Sequence, residues 1–75
     1  MKAITESAVL RRINRKLRRD SEVLRACPYN SPDFHRLGRY YVVDERTNAA
    51  VQHDVDIAQL GCDVGAIRSN EVLVR

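Results

Sequence analysis

Apolar residues recur at helical spacing in the first third of the chain. Leu10, Ile13 and Leu17 follow one another at steps of three and four residues, and Leu24 continues the same stripe. No glycine or proline interrupts residues 5–26. The pattern predicts one amphipathic helix over this range.

The ends of this helix carry recognisable signals. Thr5 or Ser7 can cap its start, and Cys27-Pro28 ends it, because the residue before a proline is pushed out of the α region. Asp20-Ser21 is a weaker point within it, since both residues favour caps. A break there, followed by a second short helix, is the alternative.

The middle of the chain predicts turns and a hairpin. Residues 28–38 (PYNSPDFHRLG) form a connection that includes a single helical turn over 32–37. Residues 39–43 (RYYVV) are the clearest strand, and a polar five-residue link leads to a return strand over 49–53.

The last third predicts a short helix and an ambiguous tail. Asp56 and Gln59 form a capping box at the start of a helix over residues 56–64, and Gly65 suits its C-terminal end. Residues 66–75 either add an edge strand through VLV or fray.

These elements predict one small α+β domain over residues 1–75, in the order α-β-β-α, with its ordered core at about 4–65. A lone hairpin is marginal in water, so the long helix should pack across one of its faces. The other face, with Tyr41 and Val43, needs cover from the tail, a partner or a second subunit, so a homodimer is one of three expectations. The predicted core is Leu10, Ile13, Leu17, Leu24, Leu37, Tyr40, Val42, Val51, Ile57 and Leu60.

Composition agrees with a folded domain, and charge adds an asymmetry. The 75 residues are 44% apolar and 31% charged, with a net charge of +3. Residues 1–19 hold seven lysines and arginines against Glu6 alone, whereas residues 20–75 hold six arginines against nine acids. Positive charge is thus concentrated at the N-terminal end.

The basic helix is the strongest functional feature. Like charges three and four residues apart repel by a few tenths of a kcal/mol per pair, and no acid relieves them between residues 7 and 19. Three explanations stay open: a solvated face over the core, pairing with the chain's own acids (Asp20, Glu22, Asp54 and Asp56), or an anionic partner. Nucleic-acid phosphates or an acidic protein or membrane surface would serve as that partner. The candidate nucleic-acid contacts on the helix are Arg11, Arg12, Asn14, Arg15, Lys16, Arg18 and Arg19.

Tyr41 is a further candidate contact. Tyrosines on a strand can stack on bases, as in RNA-binding sheets, but one of Tyr40 and Tyr41 must face the core because side chains alternate.

Metal and catalytic signals are poor. Cys27, His35, His53 and Cys62 are spaced irregularly, without the short paired spacing of zinc ligands. No nucleophile motif or phosphate-binding glycine loop occurs, and so short a chain is ill suited to enclose a substrate. We therefore expect no metal, no cofactor and no enzymatic activity.

Targeting signals are missing too. No window approaches the ~18 apolar residues that span a bilayer, and the first residues hold no apolar run of signal-peptide length. Two cysteines do not make a secreted disulfide scaffold. We expect a soluble, cytoplasmic protein without a membrane partner.

Three runs carry a resemblance: ITESAVLRRINRKLRRD, LGRYYVVD and HDVDIAQLGCDVG. Together they resemble small uncharacterised proteins of bacterial plasmids, phages and integrated elements, over about residues 4–65. The resemblance implies a bacterial accessory protein and transfers no site. The sequence thus predicts a non-enzymatic protein that contacts nucleic acid through its basic helix, or alternatively a protein-interaction module that uses the open hairpin face.

Overall fold

The computed structural model describes residues 1–74, which form two small sheets around one main helix. The strands are β1 (Lys2–Thr5), β2 (Glu22–Ala26), β3 (Tyr40–Asp44), β4 (Ala49–Gln52) and β5 (Glu71–Val74). The helices are α1 (Glu6–Leu17), α2 (Phe34–Leu37) and α3 (Ile57–Asp63), and a 3₁₀ turn covers Arg18–Asp20. The α+β class is confirmed, but the predicted order α-β-β-α is wrong, because it lacks β1, β2, α2 and β5.

Helix α1 is about half as long as predicted. Its start is capped as expected, since the Thr5 hydroxyl accepts from the Ala8 N–H at 3.3 Å. It ends at Leu17, and Ser21 takes a left-handed conformation at φ 57°. The chain then reverses into strand β2, so the helix predicted over 18–26 is wrong. The break at Asp20-Ser21 is where the weak point was predicted, but a strand follows it.

A three-stranded antiparallel sheet has the order β2-β3-β4. Leu24 lies opposite Val42, and the ladder between β3 and β4 is irregular between Val42 and Val43. The predicted hairpin is therefore confirmed, and the end of the predicted helix supplies its third strand.

A second sheet joins the two ends of the described chain. Strands β1 and β5 pair in parallel, with Ile4 opposite Leu73. The tail predicted as an edge strand or as frayed is an edge strand over 71–74. It pairs with the unpredicted β1 and not with the hairpin.

The core lies between α1, α3 and one face of the larger sheet. Nine of the ten predicted core residues are buried or packed against the core, with Leu10 only partly buried. The tenth, Val51, is exposed, as is every residue of the outermost strand β4. The prediction missed Val9, which is fully buried, and Ile4, whose strand was not foreseen.

Two glycines with positive φ allow a comparison: Gly38 lies in the turn after α2, and Gly65 follows α3. Gly38 has φ +73°, and a Cβ there would lie 2.8 Å from the Asp54 Cα, whereas Gly65 has φ +76° and open space around it. We expect Gly38→Ala to lower the free energy of unfolding by more than about 1 kcal/mol, because strain and steric overlap add. Gly65→Ala introduces the strain of a positive φ without steric overlap, so it should lower the free energy of unfolding by less. Urea unfolding of both variants measures this, and equal losses would contradict the steric contribution.

Candidate nucleic-acid interface

The cations of α1 and of the 3₁₀ turn that follows it form two rows, one of which contains the half-buried Arg12. Arg11, Arg15 and Arg18 follow at steps of four and three residues, and Arg12, Lys16 and Arg19 repeat the same spacing. Residues at these steps lie on one side of a helix. All of them are exposed except Arg12, which is half-buried. We call the exposed five the cationic ridge: Arg11, Arg15, Lys16, Arg18 and Arg19.

The cationic ridge has no carboxylate partner within the described part of the chain. The ion pairs there join Arg12 to Glu71, Arg36 to Asp33, Arg39 to Glu6 and Arg46 to Asp44. Three of the acids predicted as internal partners of the basic helix, Asp20, Glu22 and Asp54, form no ion pair with a ridge residue within residues 1–74. Of the three explanations for the basic helix, neutralisation by the chain's own acids therefore applies to Arg12 alone.

Arg12 connects α1 to the C-terminal strand. Its Nη1 donates to both carboxylate oxygens of Glu71, at 2.9 and 3.0 Å, and to the carbonyl of Ala66 at 3.3 Å. The Glu71 side chain is only 5% exposed. Arg12 was predicted as a nucleic-acid contact, but the structure gives its guanidinium three acceptors inside the protein.

Glu71 is held in its charged form by its neighbours. The backbone N–H of Arg68 donates to Oε1 at 3.0 Å, and this bond, followed by the Arg12 hydrogen bonds, lowers the pKa of Glu71 below its usual value. The ion pair thus connects α1 to β5, a strand of the smaller sheet.

Asn14 occupies the other flank of α1, beside the outer edge of β2. The Leu24 N–H donates to Asn14 Oδ1 at 2.7 Å, and Asn14 Nδ2 donates to the Leu24 carbonyl at 3.4 Å. The side-chain amide thus pairs with the backbone of an edge strand as a neighbouring strand would. Asn14 was predicted to contact phosphates or bases, but both ends of its amide are engaged here.

Tyr41 lies away from the basic helix. Leu24, Tyr40 and Val42 join the core cluster beneath α1, and alternation places Tyr41 on the opposite face of the sheet. Its cross-strand neighbour there is the exposed Arg25. The structure therefore does not bring Tyr41 together with the cationic ridge.

An aromatic and arginine cluster that the sequence analysis missed lies at the start of α1. Arg39 Nη1 donates to the Tyr29 hydroxyl at 2.7 Å, and Arg39 Nη2 lies 3.9 Å from Glu6 Oε1. The Tyr40 hydroxyl also donates to Glu6 Oε1. Burial, then the bond to Glu6, raises the pKa of Tyr40, so its phenol stays protonated. The missed signal was an aromatic residue, Tyr29, in a turn-forming segment where no core pattern requires one.

Two open clefts flank Asp54. One, of about 600 Å³, is lined by Glu6, Arg39, Tyr40 and residues 54–57, and the other, of about 510 Å³, includes both histidines. The size argument against a substrate site therefore does not hold for an open cleft.

Among residues 1–74 no three histidine, cysteine or acidic side chains converge as metal ligands would. Cys27 is buried and Cys62 is exposed on α3.

Comparison with known proteins adds no relative. Neither family models, nor curated proteins, nor solved structures gave a match to this chain. The resemblance to small proteins of bacterial mobile elements stays a prediction. None of the helices within residues 1–74 has the length and apolar character needed to cross a bilayer.

The edge contact of Asn14 can be tested by substitution. We expect Asn14→Ala to lower the free energy of unfolding by about 1–3 kcal/mol, because the Leu24 N–H and carbonyl lose their partner. Asn14→Asp should also destabilise, since it places a second acceptor against the Leu24 carbonyl. Ser7→Ala, at an exposed position of the same helix, should change stability by less than about 0.5 kcal/mol. Chemical denaturation measures all three, and a neutral Asn14→Ala would contradict the structural role.

The Arg12–Glu71 pair predicts an acid-dependent contribution to stability. Because the folded-state pKa of Glu71 is lowered, its contribution is present above the ordinary glutamate pKa of about 4.3 and is lost as pH falls through the lower folded value. Glu71→Gln should therefore destabilise the protein near pH 7, and its deficit relative to wild type should shrink in acid. Urea midpoints across this pH range measure the deficit. Glu45→Gln, at an exposed hairpin position, is the control, and a pH-independent Glu71→Gln deficit would contradict the assignment.

Proposed function

We propose that this protein is a non-enzymatic accessory protein that binds nucleic acid through the cationic ridge. The observation that carries the proposal is the exposure of five cations on α1 and the 3₁₀ turn that follows it, without a carboxylate partner in residues 1–74. Clustered arginines suit phosphates, because a guanidinium donates two parallel hydrogen bonds to an anionic oxygen pair.

The contacts we propose are directed to phosphates and not to bases. The amide of Asn14 would be the natural reader of an adenine edge, but it is hydrogen-bonded to Leu24. Phosphate contacts carry no sequence information directly. We therefore propose binding with little sequence preference, by Arg11, Arg15, Lys16, Arg18 and Arg19, with Arg12 and Asn14 in structural roles.

The larger cleft supports the non-enzymatic part of the proposal. Its Tyr40 hydroxyl is a donor to Glu6, and the raised pKa of Tyr40 opposes formation of a phenolate nucleophile. Glu6 in turn accepts from Tyr40 and lies 3.9 Å from Arg39, so its carboxylate already has two partners within the chain.

The test is a salt titration of binding with matched charge variants. A labelled duplex and the matching labelled single strand are titrated by fluorescence anisotropy between about 50 and 200 mM salt. Affinity should fall with a slope of about −0.9 per phosphate contact for duplex and about −0.7 for single strand. The double variant Arg11→Gln/Arg15→Gln should reduce the duplex slope by about 1 per residue removed.

The control removes the same charge elsewhere. Arg36→Gln/Arg46→Gln changes two exposed cations that already pair with acids of the chain. This variant should leave the slope nearly unchanged. If both double variants lower the slope equally, binding depends on net charge and not on the ridge. If wild type does not bind at low salt, the proposal is wrong.

A second candidate function is protein association through the outer face of the larger sheet. One observation favours it: all sheet residues of the core cluster come from the inner face. On the outer face Val43 is buried outside that cluster, and Val23 and Tyr41 are half-buried. A homodimer formed through this face should show a concentration-dependent mass in sedimentation equilibrium, and a strict monomer would contradict it.

A further inference from the structure

Tyr29 is the most exposed aromatic residue of the described chain and is nevertheless held in place. The residue keeps 73% of its surface exposed. Its ring centroid lies 5.0 Å from that of Phe34, with the two planes tilted by 40°. Phe34 is itself half-buried at the start of α2, so the exposed ring rests on a fixed support.

Arg39 fixes the tyrosine from a second direction. Its Nη1 donates to the Tyr29 hydroxyl at 2.7 Å, and its guanidinium carbon lies 5.5 Å from the ring centroids of both Tyr29 and Tyr40. Since Tyr40 is buried, the arginine links the exposed ring to the core. A ring restrained in this way loses little conformational freedom when a flat ligand contacts it.

We propose that Tyr29, supported by Phe34 and Arg39, is the stacking site for an unpaired base of a single-stranded nucleic acid. The inference rests on the proposed function and names its substrate class. Every base has a π-face that can stack on tyrosine, so the site needs no sequence preference. In a duplex both faces of an internal base are covered by its neighbours, and the site therefore selects single strands.

The carboxylates near Tyr29 have partners that weaken their repulsion of a phosphate backbone. Asp33 pairs with Arg36, and Glu6 accepts from Tyr40 and lies beside Arg39. The nearby carboxylates are thus partly neutralised. The surroundings of Tyr29 are polar, with exposed Asn30, His35 and Arg36, unlike the apolar centre of a protein–protein interface.

The stacking site lies beside the N-terminal end of α1, and the cationic ridge lies further along that helix and the 3₁₀ turn after it. Arg39 links Tyr29 to Glu6, the first residue of α1. Arg11 follows five residues later, about 7.5 Å along the helix axis, and Arg18 about 18 Å from Glu6. A single strand that contacts both would cover several nucleotides, within the about 4–16 nucleotides that a single-strand-binding fold covers.

The test compares a labelled single strand, a strand of the same length made of abasic sites, and a duplex. Wild type should bind the base-bearing strand more tightly than the abasic strand. Tyr29→Ala should weaken binding to the base-bearing strand by about 5- to 150-fold, the range of one base stack, and should leave the abasic and duplex affinities unchanged. Tyr29→Phe keeps the ring and should retain most of the affinity.

Two controls separate stacking from other effects. Tyr41→Phe alters a tyrosine on the far face of the sheet and should behave as wild type. Thermal unfolding checks that Tyr29→Ala stays folded, as its exposure predicts.

The possible results separate this inference from the proposed function. If Tyr29→Ala leaves single-strand affinity unchanged while the Arg11→Gln/Arg15→Gln variant still weakens it, the stacking site is wrong and the cationic ridge stands. If Tyr29→Ala weakens all three ligands equally, or Tyr29→Phe loses as much as Tyr29→Ala, stacking is also wrong. If no strand binds wild type at low salt, the proposed function fails and the stacking site fails with it.

Discussion

The fold depends on one helix that is held on two flanks at once. Along its buried side α1 places Val9, Ile13 and Leu17 into the core. On one flank Asn14 pairs with the edge of the larger sheet, and on the other Arg12 binds Glu71 of the smaller one. Both sheets are therefore positioned by polar groups of the same helix. The side facing away from both sheets is left for a partner and carries Arg11, Arg15 and Arg18, while the exposed Lys16 and Arg19 continue the row of Arg12.

This arrangement explains why the fold was predictable only in part. The hairpin and α3 were found because their signals are local: a run of β-branched residues, a short link and a capping aspartate. Strand β2 was missed because Leu24 fits a helical stripe as well as a strand that points it at Val42. What decides between them is the pairing of 22–26 with β3, a long-range interaction that periodicity does not contain. Strands β1 and β5 pair across nearly the whole chain and leave even less local signal.

The candidate site shows the same division between composition and geometry. The excess of positive charge is a property of the sequence, and it did indicate a basic helix. Which cations are free is a property of the fold. Arg12 and Arg11 are neighbours of the same type, yet one faces Glu71 and the other faces solvent, because successive helix residues point about 100° apart. Tyr29 could not be ranked above Tyr41 from the sequence. Its position is fixed by contacts with Phe34 and Arg39, which a turn-rich loop brings together.

The acids in the rest of the chain do not remove the asymmetry of charge. Nine acids follow residue 19, but within residues 1–74 Glu71 is the one that forms an ion pair with α1, and it does so with the half-buried Arg12. At physiological salt, exposed charges more than about 8 Å apart are largely screened from one another. Distant acids therefore lower the net charge without relieving the repulsion between ridge neighbours. An anion that binds directly to Arg11, Arg15 and Arg18 relieves it, and a phosphate chain supplies several anions along such a row.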